Sequence, residues 1–195
     1  MEQFFFEKIS ESQNNHWWYK SRREIFLKIL RRIKFEKPKI LDYGSGAGAN
    51  VTLLKKINDN IDIFEPNKLM HPRLKKIGGK VVEKVDQNYD LILLTDVIEH
   101  IENDKELLIS LTENLSSNGY ILITAPAYQF LYSSKDVQLK HYRRYNKKEL
   151  LKKITNCGFV IEKCHYADSI GYFLALLTKY MLSDPNKSIQ PIILK

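Results

Sequence analysis

The chain has 195 residues, 44% hydrophobic and 28% charged, the balance of a single folded domain and not of a disordered or fibrous chain. Its net charge of +8 admits an anionic partner, but the basic residues are spread along the sequence, which argues for a solvated surface and against a concentrated nucleic-acid stripe. Two cysteines, Cys157 and Cys164, have neither metal-ligand spacing nor the pattern of a disulfide framework, so a reducing cytoplasm is the expected compartment.

Taken in order, Phe4, Phe5 and Phe6 are followed at once by charged and polar residues, unlike a secretory leader. From Trp17 to Ile33 the pattern is helical, with Ile25, Phe26, Ile29, Leu30 and Ile33 on one stripe and Arg22, Arg23, Lys28, Arg31 and Arg32 largely off it. The group His16, Trp17, Trp18, Tyr19 and Arg22 is denser in aromatics than a surface helix needs. Two readings stay open: these residues close over a bound ligand, or they pack the helix onto a sheet. On the first reading, Trp18, Tyr19 and Arg22 are candidate substrate contacts.

The stretch Ile40 to Asn50 reads as a short buried strand, a turn with Gly44, Gly46 and Gly48 in alternation, and the start of a helix carrying Val51, Leu53, Leu54 and Ile57. The helix start offers free N–H groups to an anion. From Gly44 to Ala49 the segment also satisfies the dinucleotide fingerprint, so the glycines alone do not choose between nucleoside ligands. Asp42 does: a carboxylate just ahead of the turn repels a pyrophosphate and attracts a cation. A ligand with both an amine and a ribose, such as S-adenosylmethionine, meets that requirement. Glu65 follows the apolar alternation of Ile61, Ile63 and Phe64, about where the acidic residue that binds ribose hydroxyls is expected.

A helix is expected over Asn67 to Ile77, interrupted near its start by Pro72, then a short strand at Lys80 to Val85. Tyr89 to Thr95 has the continuous apolar run of a strand buried on both faces. A helix from about Asp104 to Leu115 and a strand from Tyr120 to Thr124 follow, with a further helix beginning near Asn146. This alternation implies an α/β, doubly wound, mostly parallel Rossmann-like sheet with helices on both faces, and ligands outside the carboxyl ends of the strands. One domain over 1–195 is expected, with a helical cap at 1–37, a core at 38–166, and a C-terminal helix and tail at 167–195. The apolar run Ile170 to Leu182 is too short to span a bilayer and carries Lys179.

With Leu-Asp-Tyr-Gly-Ser-Gly-Ala-Gly, Phe-Glu-Pro-Asn, Thr-Asp-Val-Ile-Glu-His-Ile and Gly-Tyr-Ile-Leu-Ile-Thr-Ala-Pro in this order, the chain resembles the class I S-adenosylmethionine-dependent methyltransferases. His-Trp-Trp-Tyr and Lys-His-Tyr-Arg-Arg-Tyr are similar to a subgroup of them, so the resemblance runs from about Trp17 to Cys164. It implies that Asp42, Gly44, Ser45, Gly46, Glu65, Pro66, Thr95 and Asp96 line the cofactor, with Asp86 offered as the adenine contact. The family usually ends in an antiparallel strand pair, of which Phe159 to His165 resembles the first. Pro191 argues against a central strand at Ile189 to Leu194, which leaves open whether the last strand is missing or the chain is cut short. The helix Ser169 to Leu182 covers an acceptor, packs in a dimer or joins the core.

Methyl transfer is an in-line displacement from a sulfonium, so positioning is the protein's main task, and an oxygen acceptor also needs a base. His100, just past the fourth strand, and His141 are the candidate catalytic residues. Arg144 and Tyr145 are candidate substrate contacts, and Arg143 or Arg144 could hold an acceptor carboxylate or phosphate. Asp96, Glu99, His100 and His141 could hold a divalent ion, but the mixed ligand set is not diagnostic and no metal ligand is assigned. The leading expectation is methyl transfer to a hydroxyl or similar nucleophile of a small-molecule, lipid-linked or glycoconjugate acceptor. An RNA methyltransferase and an inactive cofactor-binding partner protein are the alternatives.

Overall fold

The structure is a computed structural model that describes residues 17–33, 36–56, 58–167 and 176, with 17–23 in backbone alone. The elements are α1 (Trp17–Leu30), β1 (Ile40–Tyr43), α2 (Val51–Leu54), β2 (Ile61–Phe64), α3 (His71–Lys76), β3 (Lys80–Val81), β4 (Tyr89–Thr95), α4 (Asp104–Glu113), β5 (Leu115–Thr124), α5 (Ser134–Gln138) and α6 (Lys147–Asn156). Short 3-10 turns occupy Lys68–Met70, Ile98–His100 and Gln129–Leu131. Among the described residues, no helix is long and apolar enough to cross a membrane.

The strands form one sheet in the order β3-β2-β1-β4-β5, and every described pairing is parallel. Alternation along the central strands builds a core on each face. Leu41, Ile92 and Leu94 turn toward Leu108, Leu111 and Ile154 of α4 and α6. Ile40, Leu91 and Leu93 turn the other way, toward Leu30, Val51, Leu54 and Leu74 of α1, α2 and α3. That two-sided burial is why β4 reads as an unbroken apolar run. Because the strands are parallel, the ends of β1, β2, β4 and β5 share one edge. The order reverses between β1 and β4, and that switch point is where open α/β sheets hold ligands.

Three expectations are corrected. Pro72 does not interrupt its helix but sits in its first turn, where a missing N–H costs nothing. The third strand is only Lys80–Val81. Residues 159–167 form no strand: Gly158, at φ +94, ends α6, and Val160 is 87% exposed. The helix and tail expected after Asp168, and the aromatic cluster Phe4 to Phe6, lie outside the described residues apart from Leu176.

Candidate active site

The turn after β1 is built around Asp42, which is fully buried. Ser45 Oγ donates to its Oδ2 at 2.6 Å, while Oδ1 has no hydrogen-bond partner among the described residues. Burial pushes the carboxyl pKa up to about 6; the Ser45 hydroxyl and Asn50 amide oppose the rise and the neighbouring Glu65 charge adds to it. A buried carboxylate with an open acceptor oxygen is costly until a donor or cation reaches it.

The three glycines serve different ends. A Cβ at Gly44 would strike Val97 at 2.7 Å, and one at Gly48 would collide with Ile77 and Leu74, so these two permit packing. Gly46, at φ +55, faces open space with nothing within 4 Å of a Cβ, and this is where a ligand can approach the backbone. Glu65 leans over the same turn: its Oε2 accepts from Gly46 N at 2.7 Å and its Oε1 from Asn67 N at 2.9 Å. Each oxygen keeps a further lone pair for hydroxyl donors. Asn50 Nδ2 donates to Thr95 Oγ1 at 2.6 Å, tying the turn to the end of β4.

These residues fit S-adenosylmethionine: an open acid for its ammonium, a bare glycine backbone, and a second acid in reach of a ribose. The helix contribution is smaller than expected, because α2 is one turn long and Asn50 makes no side-chain cap, so little dipole is gathered there. Pro66 is exposed beside Glu65. Asp96 follows β4 at φ +55 and is held by Thr124, whose Oγ1 donates to Asp96 Oδ1 at 3.0 Å.

A second group gathers past β4. Glu99, His100 and His141 place ligand atoms within 4.8 Å of one another, and the two imidazoles meet edge to face at 4.6 Å. The loop between β5 and α6 is bound to the Ile98–His100 turn by Tyr142 N, which donates to Glu99 O at 2.7 Å, and is braced internally by Tyr132 Oη, which donates to His141 O at 2.6 Å. Partial burial and the neighbouring His141 lower the His100 pKa, so its ring is neutral near pH 7. His141 Nδ1 lies 2.9 Å from Asp136 Oδ1.

Four of the candidate residues are engaged within the protein. Arg144 forks onto Asp136, Nε to Oδ1 at 2.8 Å and Nη2 to Oδ2 at 2.9 Å, and so holds the loop together. Tyr145 is 5% exposed, and its single hydroxyl proton is shared between Asp104 Oδ2 at 2.7 Å and Ile98 O at 3.0 Å. Arg143 likewise pairs with Asp104 at 3.0 Å. Asp86 pairs with exposed Lys84 at 2.8 Å and interacts with Lys39, ahead of β1 and at the opposite end of the strands from Gly46. The side chains of Trp18, Tyr19 and Arg22 lie outside the described residues.

Sequence reasoning passed over Asn50, Thr124 and Asp136. Asp136 had a signal, a serine three residues before an acid, and Ser133 and Asp136 do form a capping box at the start of α5. A cavity of about 130 Å³ lined by Leu30, Ile33, Lys37, Pro38, Ile40, Asn58 and Leu91 lies at the starts of the strands, away from both groups.

A family model described as a methyltransferase domain matches residues 17–163. The ubiquinone biosynthesis O-methyltransferase of Rickettsia canadensis is 28% identical over 145 residues, covering 61% of this chain and 60% of its own; the chain thus spans about three fifths of that relative. An S-adenosylmethionine-dependent methyltransferase from Clostridium acetobutylicum superposes with a TM-score of 0.66 at 12% identity, over 84% of this chain and 92% of its own. Another from Archaeoglobus fulgidus gives 0.56 at 20% identity, over 85% and 88%. The matched span contains both groups of residues and the whole sheet, and the chain belongs to the class I S-adenosylmethionine-dependent methyltransferase family.

Proposed function

We propose that the chain transfers a methyl group from S-adenosylmethionine to a hydroxyl oxygen of a small or lipid-linked acceptor. The observation that carries the cofactor half is Asp42, buried at the switch point with Oδ1 open beside the bare backbone of Gly46. Oxygen as the acceptor atom is supported by the O-methyltransferases among the relatives.

The donor supplies a sulfonium methyl, transferred in line to a nucleophile as the carbon–sulfur bond breaks and a neutral thioether leaves. This chain's residues supply the rest. Asp42 pairs with the ammonium and Glu65 accepts from the ribose hydroxyls, which fixes the reacting carbon in place. His141 takes the acceptor's proton, with neutral His100 beside it, as the nucleophile forms its bond.

Calorimetry with S-adenosylmethionine, S-adenosylhomocysteine and NAD on wild type and Asp42→Ala tests the cofactor half. Binding of the two sulfur nucleosides, lost in the variant, is expected; NAD binding that survives the change overturns the reading. Radiolabelled methyl transfer to catechol, a small vicinal diol of the hydroxyl class, tests the acceptor half, and His141→Gln should lower it.

A second reading rests on the closeness of Glu99, His100 and His141: one carboxylate and two imidazoles suit a divalent transition ion with open positions. Chelator-treated enzyme that recovers turnover only with added Mn2+ or Zn2+ supports it; unchanged turnover after chelation removes it.

A further inference from the structure

Asp136 is 1% exposed and lies in α5, five residues before His141 and outside every motif quoted above. Its two oxygens are filled. Oδ1 takes Arg144 Nε and His141 Nδ1, and Oδ2 takes Arg144 Nη2 and Ser133 N. Arg144 and the backbone amide can only donate, so the carboxylate is held as a charged acceptor. Burial raises its pKa, but the hydrogen bonds from Arg144, His141 and Ser133 outweigh that and keep it below the usual carboxylate range. A permanent acceptor at 2.9 Å leaves Nδ1 of His141 one role, that of donor. In a neutral imidazole the proton then sits on Nδ1, and Nε2 carries the lone pair.

Free histidine has no such constraint, and a ring in the other tautomer offers an N–H where a base needs an acceptor. The loop adds a second restraint, since Tyr132 Oη fixes the His141 carbonyl and His141 N donates to Asp136 O at 2.9 Å. Backbone and ring of one residue are therefore anchored to the same short helix. The guanidinium of Arg144 neutralises the charge that makes this work inside the protein.

We propose that Asp136 is the positioning residue of the acceptor side: its carboxylate locks His141 in the Nδ1–H tautomer and presents Nε2 as the proton acceptor. Arg144 keeps that carboxylate ionised, which is the use this chain makes of an arginine that reads, in sequence, as a substrate clamp. The proposal rests on the reading of His141 as the base.

The experiment is long-range 1H–15N NMR of the histidine rings in the full chain, with His141→Gln to assign the signals. Wild type should show Nδ1 of the protonated type and Nε2 of the unprotonated type above neutral pH; this spectrum decides even if variants fold poorly. Asp136→Asn should lose the preference and lower kcat for methyl transfer to catechol about tenfold or more, the scale of an impaired acid–base group. Its affinity for S-adenosylmethionine should be unchanged, since Asp136 touches none of the turn residues. Asp136→Glu should restore part of both the tautomer and the rate. A wild-type ring with the proton on Nε2, or an unchanged ring in Asp136→Asn, overturns the proposal. Full turnover in His141→Gln, with the tautomer as expected, instead removes the base reading and the proposal with it.

Discussion

Asp42 sets a conflict between stability and binding at a single side chain. Its folded pKa of about 6 lies above the ordinary value of 3.8, so the native state holds a proton that the unfolded chain has released. The stabilisation is present below pH 3.8 and is lost as pH rises through about 6. The gap corresponds to something on the order of 3 kcal/mol. Asp42→Asn should therefore raise the thermal midpoint at pH 7.5 and change it little at pH 4, as scanning calorimetry would show. The same variant should bind S-adenosylmethionine far more weakly, because the neutral amide does not offset the ligand's charge. In wild type the affinity should drop roughly tenfold between pH 7 and pH 5, since only the ionised acid pairs with an ammonium. The glycines separate in the same way. Gly46→Ala, strained but unobstructed, should cost about 1 kcal/mol and most of the cofactor affinity. Gly48→Ala, which collides with Leu74 of α3 and with Ile77 just past it, should cost more stability; urea titration beside calorimetry compares the two.

Two buried acids pair with the loop from β5 to α6, and neither pairing was legible from its sequence. Lys140 to Tyr145 gathers polar and aromatic residues after a strand, and such a run looks the same whether it faces an acceptor or a buried acid. The difference lies in Asp104 and Asp136, separated from their partners by 41 and 8 residues, and distant pairing leaves no local periodicity. The glycine turn and the two acids near it were legible because their spacing is local to one strand and one bend. Asp86 misled because the short crossover after β3 carries few acids to choose from. Tyr145→Phe tests the structural assignment. It removes the one hydroxyl proton that Asp104 and the Ile98 carbonyl share, so urea denaturation should report a loss of about 1–3 kcal/mol. S-adenosylmethionine affinity should stay as in wild type, because Tyr145 contacts α4 and the Ile98–His100 turn, not the glycine bend.

At the scale of the whole molecule, β1 and β4 belong to both cores while β3 is a two-residue edge strand. The alternation of strands and helices made this layout readable, since a strand buried on both faces must be apolar throughout. The end of the sheet was not readable, because 159–167 carries strand-like residues without a described partner. Stability should then grade outward from the centre. Amide hydrogen exchange should be slowest over Leu91–Leu94 and Ile40–Tyr43 and fastest at Lys80 and Val81. The gradient also reads out the site. Amides that exchange only through global unfolding respond to any ligand that binds the native state alone. S-adenosylmethionine at 100 times its Kd should raise their protection by about 2.7 kcal/mol. In Asp42→Asn at the same concentration the β4 amides should show almost none of that increase, although the free variant starts more stable at pH 7.5. If β4 gained equal protection in both proteins, the ligand would be held by something other than the buried acid at the switch point.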